Sequence, residues 1–70
     1  MRNEIFIEIA GGRGAGKSRV LTQLVTYLDA LGADVIWRDA GPPVRKGARI
    51  GVKDGPLNDI RINLDTVDME

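Results

Sequence analysis

The chain has 70 residues, ten basic and ten acidic, with no cysteine and no histidine. These counts exclude a disulfide framework, a thiolate or imidazole metal site and the usual imidazole base, and the balanced charge gives no general attraction to nucleic acid. A chain this short is expected to form one domain, residues 1–70, around one modest core. With no apolar run of membrane-spanning length and no signal-peptide h-region, it is expected to be cytoplasmic and to have no membrane partner.

The first element is a strand over residues 4–10. Ile5, Ile7 and Ile9 alternate with Glu4, Phe6 and Glu8, the period-2 pattern of a half-buried strand. The strand runs into Gly11, Gly12, Arg13, Gly14, Ala15, Gly16, Lys17 and Ser18, which is the Walker A spacing of a glycine, four residues and Gly-Lys-Ser. Glycines let the backbone wrap closely enough for several N–H groups to converge on phosphate oxygens. Lys17 adds a mobile positive charge and is the candidate catalytic residue, Ser18 offers a hydroxyl to Mg2+, and Arg19 follows one step along the helix. A dinucleotide fingerprint does not fit, because counting from Gly12 and Gly14 the third glycine position holds Lys17.

A helix is predicted over residues 17–31. Val20, Leu21, Leu24, Val25, Tyr27, Leu28 and Leu31 form its apolar arc, and Gly32 takes the left-handed position after its end. Its N-terminal N–H groups and positive dipole end then face the loop. A second strand follows at residues 34–38, with Trp37 on the same side as Val35 and therefore under the helix. Residues 39–47, centred on Gly41, Pro42 and Pro43, read as a loop. Asp39 leaves the second strand on the side of the phosphate loop and is a candidate to bind a magnesium-ligated water; an ordinary turn-capping role is the alternative. Arg45, Lys46 and Arg49 suggest a lid that closes on the phosphates through Arg45 or Lys46, against a plain solvated loop.

Residues 49–53 and 59–65 alternate around a turn-rich centre and read as an antiparallel β-hairpin. In that arrangement Asp65 ends far from the phosphates. The acidic tail, residues 66–70, is expected to fray. Each strand has one aliphatic side, and only one helix is available to cover it. The expected fold is a two-layer α/β domain, β-α-β-β-β, with one helix packed on one face of a small mixed sheet. A right-handed parallel crossover carries the phosphate loop and the hairpin is appended to it. Phe6 and Ile36 interrupt the uncovered face; if adjacent there, they offer a homodimer contact.

From Ile5 to Pro43 the chain resembles the N-terminal end of a P-loop NTPase, most closely the nucleotide kinases of the thymidylate kinase type. The likeness rests on the loop from Gly11 to Ser18, on the leucine-rich helix ending in Leu31 and Gly32, and on Arg38, Asp39, Ala40 and Gly41 after the second strand. It implies a strongly truncated mini P-loop domain. A thymidylate kinase is about three times as long, and the acceptor pocket and arginine-bearing lid have no counterpart here. Arg13 also stands where related kinases often carry an acidic residue. The resemblance therefore implies a grip on ATP or GTP with Mg2+, and slow or partner-dependent hydrolysis at most. The alternative is a small protein-binding regulator or inhibitor of phage or mobile-element type, built on the same scaffold and without a catalytic role. Nucleic acid is not an expected partner, since the basic residues from Arg45 to Lys53 carry no interleaved aromatics.

Overall fold

The computed structural model describes residues 3–45 and 55–69. Its elements are β1 (Asn3–Gly11), α1 (Lys17–Ala30), β2 (Asp34–Arg38), β3 (Val44–Arg45) and β4 (Ile60–Asp68). They form a four-stranded mixed sheet in the order β1-β4-β2-β3, with α1 on one face. β4 pairs in parallel with both β1 and β2, and the two-residue β3 pairs antiparallel with β2.

This arrangement corrects the expected hairpin. The arm at residues 49–53 lies outside the described residues, and the second arm, β4, is the centre of a parallel sheet. Alternation reveals which side of a strand is buried but carries no information about its neighbours or direction. The register supplies the reason for β4's position. Between β1 and β2, Ile62 meets Ile5 and Val35 in one row, and Leu64 meets Ile7 and Trp37 in the next. Ile62 and Leu64 are thereby buried, with Leu64 only 2% exposed. Two polar side chains of β4 also find partners: Arg61 Nε donates to Asp34 at 3.1 Å and Asn63 Nδ2 to Glu4 at 2.9 Å.

The tail is likewise more ordered than expected. Thr66, Val67 and Asp68 belong to β4 and pair with Ile9, Ala10 and Gly11, and Met69 N–H donates to Gly11 C=O at 2.9 Å. Ladder hydrogen bonds to an existing strand hold a polar sequence that by itself would fray.

The core comprises Leu21, Val25, Ala33, Val35, Ile62 and Leu64, with Ile7, Ile9, Leu24, Leu28, Trp37, Leu57 and Ile60 packed against it. Trp37 thus lies on the helix-covered side, as its alternation with Val35 requires. The apolar arc assigned to the helix is too wide: Val20 and Tyr27 are exposed, and Asp29 is buried in their stead. Ile5 is also largely exposed, because β1 is an edge strand and α1 covers only its second half. The helix ends in a Schellman motif. Gly32 N–H donates to Asp29 C=O and Ala33 N–H to Leu28 C=O, with Gly32 at φ 93°, a conformation that glycine adopts without a Cβ penalty. Gly55 then packs against the Leu31 carbonyl so closely that no Cβ fits, and Leu57 N–H donates to that same carbonyl at 3.1 Å.

The face of the sheet away from α1 carries no second layer among the described residues. Phe6 and Ile36 share a register row there, but Asn63 stands between them. They are therefore not the adjacent pair that the homodimer expectation requires.

Candidate functional site

Three parallel strands end on one side of the sheet, and the glycine-rich loop leaves from the first of them. The loop turns at Gly12, whose carbonyl accepts from Ala15 N–H at 3.1 Å. It then passes through Gly14 at φ 80° and Gly16 at φ 99°. An L side chain is disfavoured at such angles, so these two glycines have a backbone reason beyond spacing. Gly16 is also the residue before the first helical turn, and Val20 N–H donates to its carbonyl at 3.0 Å. Among the loop amides from Arg13 to Lys17, Ala15 alone donates to a backbone carbonyl of the described residues. No acidic side chain occupies the first turn of α1, which leaves the positive end of the helix uncompensated from within the helix.

Lys17 folds back across the loop. Its Nζ donates to Gly11 C=O and Gly12 C=O, each at 3.0 Å, and pairs with Asp68 Oδ1 at 2.8 Å. Lys17 is mostly buried in this position, whereas the Asp68 side chain is 62% exposed. Asp68 reaches the lysine because it stands in register with Gly11 at the carboxyl end of β4. Sequence reasoning missed it by ending the strand at Asp65, where the alternation of Ile60, Ile62 and Leu64 stops; the signal available was the β-branched, strand-favouring pair Thr66 and Val67.

Ser18 and Asp39 are brought together as the reading of a strand-end carboxylate requires. Ser18 Oγ donates to Asp39 Oδ2 at 2.6 Å, and Thr66 Oγ1 donates to Asp39 Oδ1 at 3.0 Å. Asp39 follows the last residue of β2, and Ala40 just after it adopts φ 58°, a left-handed turn that is uncommon for alanine. The two hydroxyl donors hold the Asp39 carboxyl below its ordinary value, Ser18 contributing most and Thr66 next, with the Lys17 charge assisting against a small desolvation effect. Thr66, like Asp68, was hidden by the assumption of a frayed tail.

Other expected positions fall differently. Asp65 does not end far from the loop, because β4 is parallel to β1 and not antiparallel. It pairs in register with Glu8 and Arg38, but alternation puts its side chain on the face opposite Thr66. Arg13 and Arg19 are exposed beside the loop. Arg45 does not serve as a lid charge: its Nη2 lies 3.5 Å from Asp34 Oδ2, at the start of β2 and so toward the other end of the strands. Lys46 and Arg49 lie outside the described residues.

The donor set suits a hard cation only in part. A serine hydroxyl and a carboxylate are oxygen ligands of the kind Mg2+ takes, and Mg2+ normally completes its shell with water and substrate phosphates. Among the described residues there is no group of three or more His, Cys, Asp or Glu able to hold a metal. Ser18 and Asp39 supply two adjacent oxygen groups of that kind. No helix of the described residues is long and apolar enough to cross a membrane.

Comparison with family models, with curated proteins and with solved structures gave no match in any of the three.

Proposed function

We propose that the chain binds the phosphate groups of a nucleoside triphosphate, ATP or GTP, with Mg2+ at the loop from Gly11 to Arg19. The observation that carries this reading is the strand–loop–helix geometry. Around the positive-φ glycines Gly14 and Gly16, loop amides other than that of Ala15 have no backbone acceptor among the described residues, and Lys17 lies across the same loop with Ser18 at the helix start. Backbone amides and a helix N-terminus form an anion cradle, and Lys17 supplies the charge above it. In the P-loop manner Ser18 would hold Mg2+ and Asp39 a water of its shell. Mg2+ would neutralise charge on the phosphates.

Turnover is expected to be slow or partner-dependent. Hydrolysis needs a group that orients the attacking water and a cation on the developing charge. The carboxylates beside the loop are already engaged: Asp68 with Lys17, and Asp39 with two hydroxyls. Among the described residues Arg13 and Arg19 are the available cations beside the loop, while Glu8 and Asp65 project from the opposite face.

The test is a titration of the chain with ATP and GTP, with and without Mg2+, followed by backbone amide shifts in wild type and Lys17→Ala. Shifts centred on residues 11–19 that vanish in the variant are expected, with affinity falling at least about tenfold, or ~1.4 kcal/mol. Unchanged spectra at millimolar nucleotide would overturn the reading. The second reading, a protein-binding regulator on a P-loop-like scaffold, draws on the Lys17–Asp68 ion pair, which gives the lysine a structural partner without any ligand. It predicts that Lys17→Ala alters stability and leaves partner binding intact.

A further inference from the structure

β1 is an edge strand, and its ladder fixes which backbone groups remain open. Asn3 N–H donates to Asp59 C=O, and Gly11 C=O accepts from Met69 N–H. In a parallel pair this means that the odd-numbered residues of β1 bond inward to β4. Glu4, Phe6, Glu8 and Ala10 therefore turn their N–H and C=O groups toward the open edge. Ile7 and Ile9 pack toward the core, so by alternation the same four residues project their side chains on the face away from α1. Among the described residues no strand pairs with this edge, and an unpaired edge of this length is a ready template for another strand.

Its side chains specify what kind of strand. Phe6 is 75% exposed, with a carboxylate two positions to either side. Arg61 stands between Glu4 and Asp34 in one register row, yet its Nε goes to Asp34, and Arg45 joins Asp34 from the far side. Among the described residues Glu4 receives only the Asn63 amide. In the Glu8 row the neighbour on β4 is Asp65, and neither carboxylate has an ion-pair partner among the described residues. Among the described residues, the cations of this face thus lie toward β2 and β3, and the β1 margin is acidic. Inward from Phe6 the face holds a groove of about 270 Å³ whose lining includes Ile36 and Pro43.

A second copy stacked through Phe6 is a poor occupant. Antiparallel pairing that stacks Phe6 on the partner's Phe6 sets Glu4 against the partner's Glu8 on both sides, and like charges directly opposite destabilise a pair. We propose instead that the β1 edge docks an extended segment of another protein, in which an apolar residue opposite Phe6 is flanked two positions either way by lysine or arginine. Main-chain hydrogen bonds to Glu4, Phe6, Glu8 and Ala10 would supply the pairing, and the two carboxylates the selectivity.

The experiment uses the full chain, isotope-labelled, and a capped peptide of sequence Thr-Thr-Lys-Thr-Val-Thr-Lys-Thr-Thr, with the same peptide carrying glutamates in place of the lysines as control. The expected result is amide shifts confined to β1 and its immediate neighbours, with slowed hydrogen exchange at Glu4, Phe6, Glu8 and Ala10. Affinity should weaken about three- to tenfold in Glu4→Gln/Glu8→Gln, whose unchanged α1 amide shifts establish that it is folded. Equal binding of the glutamate peptide overturns the proposal, as does no binding at millimolar peptide. Shifts centred on Lys17 overturn it too, and so does concentration-dependent sedimentation of the chain alone, which would assign the edge to a second copy.

Discussion

Asp39 accepts from Ser18 and Thr66 at once, and a carboxylate held by two hydroxyls favours its charged form. Its folded-state pKa lies below the ordinary value of an aspartate, so the interaction stabilises the fold above the unfolded value and is lost as pH falls through the lower, folded one. A carboxyl-carbon titration of the native chain should give a midpoint below the ordinary range, and Ser18→Ala should raise it more than Thr66→Val because Ser18 is the larger cause. An unshifted midpoint would mean that the two hydroxyls do not hold Asp39 in solution. Asp68 poses a different question, because its carboxylate sits on the charge that a phosphate needs. Removing it with Asp68→Asn should strengthen binding of Mg2+-free nucleotide, by up to about fivefold given that exposed pairs contribute ~0–1 kcal/mol. A weaker complex would show that Asp68 positions Lys17 for the phosphate and does not compete with it.

The connection between α1 and β4 depends on two glycines for different reasons. Gly32 supplies a left-handed φ, and Gly55 supplies absence of volume against the Leu31 carbonyl. Gly32→Ala should cost at least about 1 kcal/mol, the usual penalty for a side chain at positive φ, since its Cβ would also come within 3.0 Å of Gly55 Cα, measured as a shift of the urea midpoint at constant slope. Gly55→Ala should cost more, since the obstructing atoms are backbone and cannot rotate away; equal losses would sink that distinction. Gly32 was legible in the sequence, standing where an apolar helical pattern stops. Gly55 was not, because nothing local announces that a distant carbonyl will approach it. The same division runs through the other elements. The loop, α1 and β2 are encoded by neighbours in sequence, and their spacing named Gly14, Gly16, Lys17 and Ser18 directly. The partnership of β4 depends on Ile62 meeting both Ile5 and Val35 and on Arg61 meeting Asp34, contacts between residues far apart in sequence that no periodicity records. Misplacing β4 is what hid Thr66 and Asp68, the two site residues contributed by the last strand.

At the scale of the molecule, the same contacts that shape the site also close the sheet. Gly11 and Met69 join the carboxyl ends of β1 and β4, Lys17 ties the loop to Asp68, and Asp39 bridges α1 and β4 through Ser18 and Thr66. The core beneath is small, with Val35 and Leu64 its most deeply buried large side chains. Domains of this size have only a few kcal/mol to lose, and Leu64→Ala should remove about 2–5 kcal/mol, enough to leave much of the chain unfolded at 25 °C by circular dichroism. Binding at a site built from these strand ends must then feed back on folding. A ligand held only by the native state stabilises it by RT ln(1 + [L]/Kd), about 2.7 kcal/mol at one hundred times Kd. Saturating Mg2+–nucleotide should therefore raise the melting temperature of the wild-type chain by several degrees and restore part of the signal lost in Leu64→Ala. Lys17→Ala should melt at one temperature with or without nucleotide. If nucleotide raises the melting temperature of Lys17→Ala as much as that of wild type, the phosphates are held somewhere other than this loop.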